Sequence, residues 1–422
     1  MPKRVLMITA AWPPVARVGA RRPLRIARRL EKFGWQPVVM TPEPNCVFRK
    51  MPALDQSISI PDVETHHIEA MIPSTRLARI ISRLPRLAAK LGNRVLSAAL
   101  FPDQYREWTS AARKAAGELD AVDMVWVTGG PFGIFLSGAA IARDLEIPLV
   151  LDYRDPWTTS VDLSRSYTAP LFGGLHRLEA RLLNQAAGVA YVNKDMRAGN
   201  REAFGQPDGT PWVVIPNGFD PLDLPEVDAQ RDEQPVLLYA GACYASRSME
   251  PILRALARAD DAGIPPLKLR IFGELDPGAR RFLEAHPLPT RVSVSGRIPS
   301  KELTGHMLGA AGLLLIIGDG HRTALSAKVF DYLQADRPII GFGPSDSDAA
   351  ALIAEAQVGE WADSPDSLLP ILERLAQNTI SYAPKDEAIR PYSADAMAEQ
   401  TAALLDEIHS RSGAESDTVE AS

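Results

Sequence analysis

The sequence predicts an α/β protein with two doubly wound, Rossmann-like domains that face each other across a cleft. Three observations predict this fold class. The chain has 422 residues, too many for one ordinary core. Short apolar runs alternate with helical patterns, which indicates parallel sheets covered on both faces. The alternation starts again after the turn-forming segment 216–220, so a second domain of the same class follows the first.

The elements follow from the spacing of apolar residues. In the first half, short runs rich in Val, Ile and Leu predict buried strands at 5–9, 37–41, 124–127, 148–151, 188–192 and 212–215. Apolar residues three and four positions apart predict helices at 21–33, 132–144, 171–185 and 194–204. In the second half, strands are predicted at 235–240, 267–272, 291–294, 311–317 and 338–341, and helices at 249–259, 300–308, 324–334 and 347–355.

The turn-forming segment divides the chain into domains. We expect a Rossmann-like domain at 1–218, a second one at 219–394 and a last helix at 395–411. The small, polar residues 412–422 predict a disordered tail.

Composition excludes several classes of protein. The net charge is −6 and the sequence pI is about 5.8, whereas a general nucleic-acid binder is normally basic. Cys46 and Cys243 cannot form a disulfide framework, and no Cys or His spacing predicts a metal site, so we expect a cytoplasmic protein without a metal. No apolar stretch approaches the roughly 18 residues that span a bilayer. The Asp-Ser-Asp pattern at 346–348 precedes a helical run and favours a helix N-cap over a metal–diphosphate ligand.

A basic amphipathic segment lies at 76–94. No Asp or Glu occurs between residues 70 and 102, whereas Arg or Lys recurs every three or four residues beside a Leu and Ile stripe. The pattern is typical of helices that lie on an anionic membrane surface. It is equally typical of a surface helix whose apolar stripe packs on a sheet. The sequence is therefore compatible both with a purely cytoplasmic protein and with one bound peripherally to the inner face of the cell membrane.

Ligands of doubly wound sheets bind beyond the carboxyl ends of the strands, so residues that follow strands are the candidates. In the first half these are Gly19 and Arg22 at the start of the first helix, Gly130, and the adjacent Arg154 and Asp155. Glycine lets a ligand approach the backbone. Arg154, with a carboxylate on either side, is suited to a polar or anionic ligand. The alternatives are an ion pair that fixes the loop and a solvated Arg22.

The second half offers a candidate nucleotide site. A glycine-bearing loop at 318–328 runs into a helix, whose free N–H groups, together with Lys328 and Arg247, would suit a diphosphate. Asp331, one turn further on, could accept a hydrogen bond from a ribose hydroxyl. A solvated lysine on a helix is the commoner alternative. The candidate residues are Gly241, Arg247, Gly273, Ile298, Thr323, Ser326, Lys328 and Asp331.

Four stretches resemble the GT-B glycosyltransferases, specifically glycosyltransferase family 4 and its bacterial surface-polysaccharide branch. They are 9–41, TGGPFGIFLSGAAIARDLEIPLVLDYRDPW at 128–157, VIPNGFD at 214–220 and AKVFDYLQADRPIIG at 327–341. The pattern at 392–408 resembles the family's final helix, which crosses back onto the first domain.

The resemblance implies retaining, metal-independent sugar transfer from a nucleotide-diphospho-sugar, without a cofactor, to a lipid-linked glycan. It implies that the second domain binds the donor, with Arg247 and Lys328 on the diphosphate and Asp331 on the ribose. The first domain would bind the acceptor through Gly19, Arg22 and Gly130, with Arg154 and Asp155 as catalytic residues.

One departure from the family stands out. The family has two acidic residues eight positions apart, and counting back from Asp331 places the first at Thr323. In the family this position contacts the donor sugar, so Thr323 leaves the sugar's identity open, with Asp319 as a possible substitute. Two rival functions follow: a nucleotide-sugar epimerase of the same fold, and a catalytically silent sugar-nucleotide or glycan-binding protein.

Overall fold

The computed structural model describes residues 2–15, 18–44, 62–70, 101–160, 169–241, 243, 247–323 and 325–420. They belong to two compact units. The first contains the described residues up to Pro216 and those from Ala394 onwards, and the second is Asn217–Ser393. No helix in these ranges is both long and apolar enough to cross a membrane. The basic segment 76–94 lies outside the described residues.

The first unit is built on a parallel sheet. Its described strands are β1 Lys3–Thr9, β2 Trp35–Pro42, β3 Glu64–Ile68, β4 Met124–Thr128, β5 Leu149–Tyr153, β6 Gly188–Tyr191 and β7 Trp212–Val214. They pair in the order β3-β2-β1-β4-β5-β6-β7. The helices are α1 Val18–Leu30, α2 Thr109–Ala116, α3 Ile134–Asp144, α4 Ala169–Gln185 and α5 Lys194–Phe204. β4 and β5 are buried along their whole length, as expected for central strands with both faces covered.

The second unit repeats this arrangement. Its described strands are β8 Val236–Ala240, β9 Lys268–Phe272, β10 Val292–Ser295, β11 Gly312–Ile316, β12 Ile339–Phe342 and β13 Gly359–Ala362. They form a parallel sheet in the order β10-β9-β8-β11-β12-β13. The helices are α6 Glu250–Ala257, α7 Pro277–Ala285, α8 Ser300–Gly309, α9 Ala327–Gln334, α10 Asp348–Ala356, α11 Pro365–Ala376 and α12 Asp386–Ile389.

Each sheet has a switch point where the strand order reverses, between β1 and β4 in the first unit and between β8 and β11 in the second. The loops that leave these strands diverge to opposite faces, which opens a crevice for ligands. Gly19 and Gly130 follow β1 and β4, and Gly241 and the 318–326 loop follow β8 and β11. The topology therefore places these four candidates at the switch points, and the other candidates follow neighbouring strands.

The last helix, α13 Ala394–Glu420, packs on the first unit. Trp35 Nε1 donates to Asp406 Oδ1 at 2.9 Å, and Arg29 Nε donates to Asp395 Oδ2 at 3.0 Å. The structure differs from the expected disordered tail at 412–422, because α13 continues without a break to Glu420.

The predicted fold class, two Rossmann-like domains with parallel sheets, is confirmed. Every predicted strand is present, with ends shifted by a few residues. The edge strands β3 and β13 were not predicted. An edge strand has a neighbour on one side only, so it lacks the continuous apolar run of a central strand. The sequence ETHHI of β3 is an example.

Candidate functional site

In the second unit, the loops after β8 and β9 meet through two glycines. Gly241 has a φ of +127° and Gly273 a φ of +150°, a region of backbone space that favours glycine. A Cβ atom on Gly273 would lie 2.1 Å from the carbonyl oxygen of Gly241. These two predicted donor-site residues are therefore required for the close approach of the two loops.

Lys328, in the first turn of α9, lies against the same loop. A Cβ atom on Gly241 would be 2.7 Å from its Nζ, and Nζ is 3.9 Å from the centre of the Tyr239 ring. Burial, assisted by the nearby Arg247 charge and opposed by Cys243 and Asp331, lowers the Lys328 pKa from 10.5 to about 8. Among the described residues, no carboxylate forms an ion pair with this ammonium group.

Two other predicted donor residues hold buried polar atoms without a hydrogen-bond partner, namely Arg247 Nε and Ser326 Oγ. Ser326 is the residue before α9, yet its hydroxyl does not cap the helix. The first N–H groups of a helix have no partner within the helix. Two cations, an uncapped helix start and two unsatisfied polar atoms therefore converge here, and an anionic ligand would satisfy them together.

The remaining donor candidates occupy the surroundings. Asp331 lies close enough to Lys328 to raise its pKa, although burial outweighs this effect. Thr323 is exposed in the turn before α9. Ile298 is half-buried and packs against the core that includes Phe272, the last residue of β9.

Sequence reasoning missed Asp276, which anchors this region. Its carboxylate accepts from Ser248 Oγ and from the backbone N–H of Met249, both at 3.0 Å, and also caps α7. It therefore fixes the residue that follows Arg247. An Asp before a Pro at the start of a helical pattern predicts the cap, but no sequence signal predicts the contact with Ser248, 28 residues away.

The Asp-Ser-Asp pattern begins α10, as predicted. Ser347 is the N-cap and accepts from the N–H of Ala350. Asp346 instead binds Arg322, with Nη1 2.6 Å from Oδ1. No group of three or more His, Cys, Asp or Glu side chains in the described ranges is placed to hold a metal ion.

In the first unit, Arg22 and Asp152 form a buried ion pair. Arg22 is 3% exposed and Asp152 is fully buried, so the alternative of a solvated Arg22 is wrong. Nη2 donates to Oδ1 at 2.7 Å, and Thr128 Oγ1 donates to Oδ2 at 2.7 Å. Arg22 Nη1 also donates to the carbonyl of Pro216 at 3.1 Å. Arg22 thus joins α1 to the end of β5 and to the segment that follows β7.

Arg154 binds three backbone carbonyls. Its Nε donates to Gly129 and its Nη2 to Gly130, both at 2.7 Å, and its Nη1 donates to Gly19. Burial lowers the Arg154 pKa, although Asp152 and Asp155 oppose this effect. From the sequence, one alternative is an ion pair of Arg154 that fixes the loop. In the structure, Arg154 donates to carbonyls instead, and the buried ion pair is formed by Asp152 and Arg22. Gly19 and Gly130, both predicted site residues, are thus held by Arg154.

Asp155 is exposed beside this cluster. A Cβ atom on Gly130 would lie 3.1 Å from Asp155 Oδ2. No hydrogen bond of the Asp155 carboxylate is found within the described part of the chain. Phe132 and Trp157, on the two loops, stack with ring centres 4.8 Å apart. The structure therefore places an exposed carboxylate, with no hydrogen bond to the described residues, on loops joined by ring stacking, where a ligand can reach it.

Below this loop lies a buried carboxylate that sequence reasoning missed. Glu179 of α4 is fully buried and accepts from Thr158 N at 2.9 Å and from Thr158 Oγ1 at 2.6 Å. Burial raises the Glu179 pKa against these hydrogen bonds. Asn200 Nδ2 approaches its other oxygen at 3.4 Å. The network ties α4 and α5 to the loop that carries Asp155.

The sequence model of the family "Glycosyl transferase 4-like domain" matches residues 19–218. This range contains the whole Gly19, Gly130, Arg154 and Asp155 cluster. The chain is a glycosyltransferase of the GT-B fold.

Solved structures show the same fold along the whole chain. A glycosyltransferase from Rickettsia africae has a TM-score of 0.55 and 12% identity, covering 96% of this chain and 98% of that one. The lipopolysaccharide outer core galactosyltransferase WaaB, in its apo form, has a TM-score of 0.54 and 13% identity, covering 97% and 99%. Anabaena Alr3699/HepE in complex with UDP has a TM-score of 0.51 and 13% identity, covering 96% and 99%. No curated protein sequence matches this glycosyltransferase.

Proposed function

We propose that this glycosyltransferase moves a sugar from a nucleotide-diphospho-sugar to a lipid-linked glycan, with retention of configuration and without a metal ion, in surface-polysaccharide biosynthesis. One observation carries the donor part of the proposal. The half-buried Lys328 forms no ion pair with a carboxylate of the described chain, and the buried Arg247 Nε and Ser326 Oγ have no hydrogen-bond partner there. A diphosphate supplies both the negative charge and the acceptor oxygens that this arrangement lacks.

The same groups have a role in the reaction. As the bond between the sugar and the diphosphate breaks, negative charge develops on the leaving oxygen. Lys328 and Arg247 stabilise that charge from fixed positions, so little reorganisation is needed. Asp331 would bind the ribose, and the UDP complex of HepE supports a nucleotide ligand for this fold. Retention and independence of metal rest on the resemblance to family 4.

We assign the acceptor to the first unit. Arg154 holds the carbonyls of Gly19, Gly129 and Gly130, and Asp155 is exposed beside them. A carboxylate in this position can accept a hydrogen bond from an acceptor hydroxyl. Arg154 then acts as a positioning residue, because at least three of its five N–H groups are directed to carbonyls. The lipid-linked acceptor and the membrane position rest on the resemblance and on the basic segment 76–94.

Nucleotide binding tests the donor site. Thermal shift against UDP-, GDP-, dTDP- and ADP-sugars, without metal, should identify a stabilising ligand, because a ligand of the folded state raises the melting temperature. Calorimetry with that ligand should then show that Lys328→Ala weakens binding by more than about tenfold, the range for losing a charge-assisted contact. The exposed Lys301 provides the matched control, and Lys301→Ala should bind like wild type. Equal affinity of the two variants would reject the donor site.

A second candidate, a silent sugar-nucleotide or glycan-binding protein, is favoured by one observation. Thr323 occupies the position at which the family has an acidic residue, and it is exposed. Binding of a nucleotide-sugar with no transfer to any acceptor and no hydrolysis would favour this candidate.

A further inference from the structure

Asp276, the residue before α7, forms four hydrogen bonds although only 4% of it is exposed. Its two carboxylate oxygens have different partners. Oδ1 accepts from Ser248 Oγ at 3.0 Å and from the N–H groups of Gly278 and Ala279, both at 3.1 Å. Oδ2 accepts from the N–H of Met249 at 3.0 Å. Asp276 therefore binds two elements at once, the first turn of α7 and the segment that leads into α6.

Capping of α7 explains only two of these four bonds. An N-cap side chain needs one oxygen that accepts from the N–H groups of the first turn, and Oδ1 does this alone. The bonds to Ser248 and Met249 cross 28 and 27 positions of the sequence. Burial raises the Asp276 pKa, but the four hydrogen bonds outweigh it and lower the pKa below its ordinary value. The carboxylate is thus ionised, and hydrogen bonds to an ionised acceptor are about twice as strong as neutral ones.

The loop after β9 supports the loop after β8 on both sides of Arg247. On one side, the N–H of Cys243 donates to the carbonyl of Glu274 at 2.9 Å. On the other side, Asp276 binds the two residues that follow Arg247 in the chain. The backbone of Arg247 therefore lies between two points of attachment to the same neighbouring loop.

The side chain of Arg247 has no comparable support. Its Nε atom is buried without a hydrogen-bond partner, and no ion pair of its guanidinium group is found among the described residues. Asp276 does not neutralise this charge, because its oxygens bind Ser248, Met249 and the start of α7 instead. The position of the guanidinium group thus depends on the backbone that Asp276 holds, and its charge stays available for an anion.

We propose that Asp276 is a positioning residue of the donor site, which holds Arg247 in place to bind the diphosphate of the nucleotide-sugar. The inference rests on the proposed function, which assigns Arg247 to the diphosphate. A carboxylate near a diphosphate opposes binding through like charge, but four hydrogen-bond donors offset the charge of this one. In return, a cation that is fixed before the ligand arrives costs less entropy when it binds.

Two substitutions at position 276 separate positioning from capping. In Asp276→Asn, the amide oxygen can replace Oδ1 and keep the cap, but the NH₂ group then faces the N–H of Met249, so that donor meets donor. Asp276→Ser keeps a favourable N-cap residue, but its hydroxyl lies one bond closer to the backbone and does not reach Ser248 or Met249. Asn193→Ala removes the N-cap of α5 in the first unit and is the matched control.

A double-mutant cycle with Arg247→Ala tests the proposal. Calorimetry with UDP, GDP, dTDP or ADP, whichever nucleotide the thermal-shift panel selects, gives the affinities. We expect Arg247→Ala to weaken binding by more than about tenfold, and Asp276→Asn and Asp276→Ser by about three- to tenfold. Combined with Arg247→Ala, the substitutions at position 276 should change the affinity less than about twofold, because residues that act through one another are not additive. Asn193→Ala should bind like wild type.

Two results would overturn the positioning role and leave the donor site intact. One is unchanged nucleotide affinity in both Asp276 variants, which would leave capping of α7 as the role of this residue. The other is an equal loss with and without Arg247→Ala, because Asp276 would then act independently of Arg247. An Arg247→Ala variant that binds like wild type, or a wild-type protein that binds no nucleotide, would instead reject the proposed donor site and the positioning role with it.

Discussion

Arg22 donates to Asp152 at 2.7 Å from Nη2 to Oδ1, in a part of the first unit where neither side chain is more than 3% exposed. The pair joins the first turns of α1 to the end of β5. Because Arg22 also donates to the carbonyl of Pro216, it fixes the residue at which the chain leaves the first unit for the second. When one partner of a buried ion pair is removed, the charge of the other stays buried without compensation.

We predict that Asp152→Asn lowers the free energy of unfolding by about 3–5 kcal/mol, the usual result of breaking a buried pair. Urea unfolding measures the change. Asp144, which pairs with Arg113 on the surface, provides the control. Asp144→Asn should have a much smaller effect, because water screens an exposed ion pair. Similar losses in the free energy of unfolding for Asp152→Asn and Asp144→Asn would contradict the conclusion that burial makes the Arg22–Asp152 pair costly to break.

Gly19 is predicted to be intolerant of a side chain. A Cβ atom there would lie 2.6 Å from Arg154 Nη1, so Gly19→Ala must displace the guanidinium group from its carbonyls. We expect a loss of about 1–3 kcal/mol in the free energy of unfolding, as for other overpacked sites. Gly199 of α5 has open space around its Cα. Gly199→Ala should therefore stabilise the protein by about 0.5–1 kcal/mol. Thermal unfolding measures whether Gly19→Ala lowers the melting temperature and Gly199→Ala raises it.

The sequence predicts these loops but not their contacts. Gly19 and Arg154 each follow a strand, and the parallel topology brings both to one edge of the sheet. Their hydrogen bond joins residues 135 positions apart, and its geometry depends on the packing of α1. The sequence grouped Asp152 with Arg154 because they are neighbours. In the fold, Asp152 pairs with Arg22, which a local pattern cannot show.

The candidate donor site has clearer sequence signals than the buried network under Asp155. Glycines after strands and a basic residue at a helix start are local patterns, and they indicate Gly241 and Lys328 as candidates. Glu179 has no such signal, because a single Glu on a helix is normally solvated. Its burial depends on where α4 packs, which the spacing of apolar residues does not fix.

Asp155 is predicted to affect transfer without affecting stability. Its carboxylate is exposed, so Asp155→Asn should change the free energy of unfolding by less than about 0.5 kcal/mol. If it binds or deprotonates the acceptor, the transfer rate should fall about a hundredfold, with nucleotide affinity unchanged. Asp208→Asn, also exposed, controls for the loss of a surface charge. A transfer rate equal to that control would remove Asp155 from the proposed acceptor site.

The basic segment gives a prediction from sequence alone. Replacing Arg79, Arg83 and Arg86 by Gln removes three of its positive charges. Each basic residue near an anionic surface contributes about 1 kcal/mol, so the triple variant should be released from liposomes that contain phosphatidylserine. Co-sedimentation with anionic and with neutral liposomes measures this. Equal sedimentation of wild type and variant would favour the alternative of an ordinary surface helix.

The pKa of Lys328 leads to a pH dependence of donor binding. With a pKa of about 8, Lys328 is mostly protonated at neutral pH and mostly neutral above pH 9. A diphosphate binds the protonated form, so affinity for a nucleotide-sugar should fall about tenfold between pH 7 and 9. A nucleotide-sugar has no terminal phosphate that titrates in this range. Lys328→Arg keeps its charge and should show a much smaller fall.

Stability should respond to pH in the opposite direction. The Lys328 pKa is lowered from 10.5 in the unfolded chain to about 8 in the folded one. Between these values the unfolded state binds more protons, so this group makes the ligand-free protein more stable as pH rises. Thermal unfolding of wild type and Lys328→Ala over this range isolates the contribution. A half-buried ammonium that destabilises the free protein and strengthens donor binding would give both pH dependences, whereas a solvated lysine would give neither.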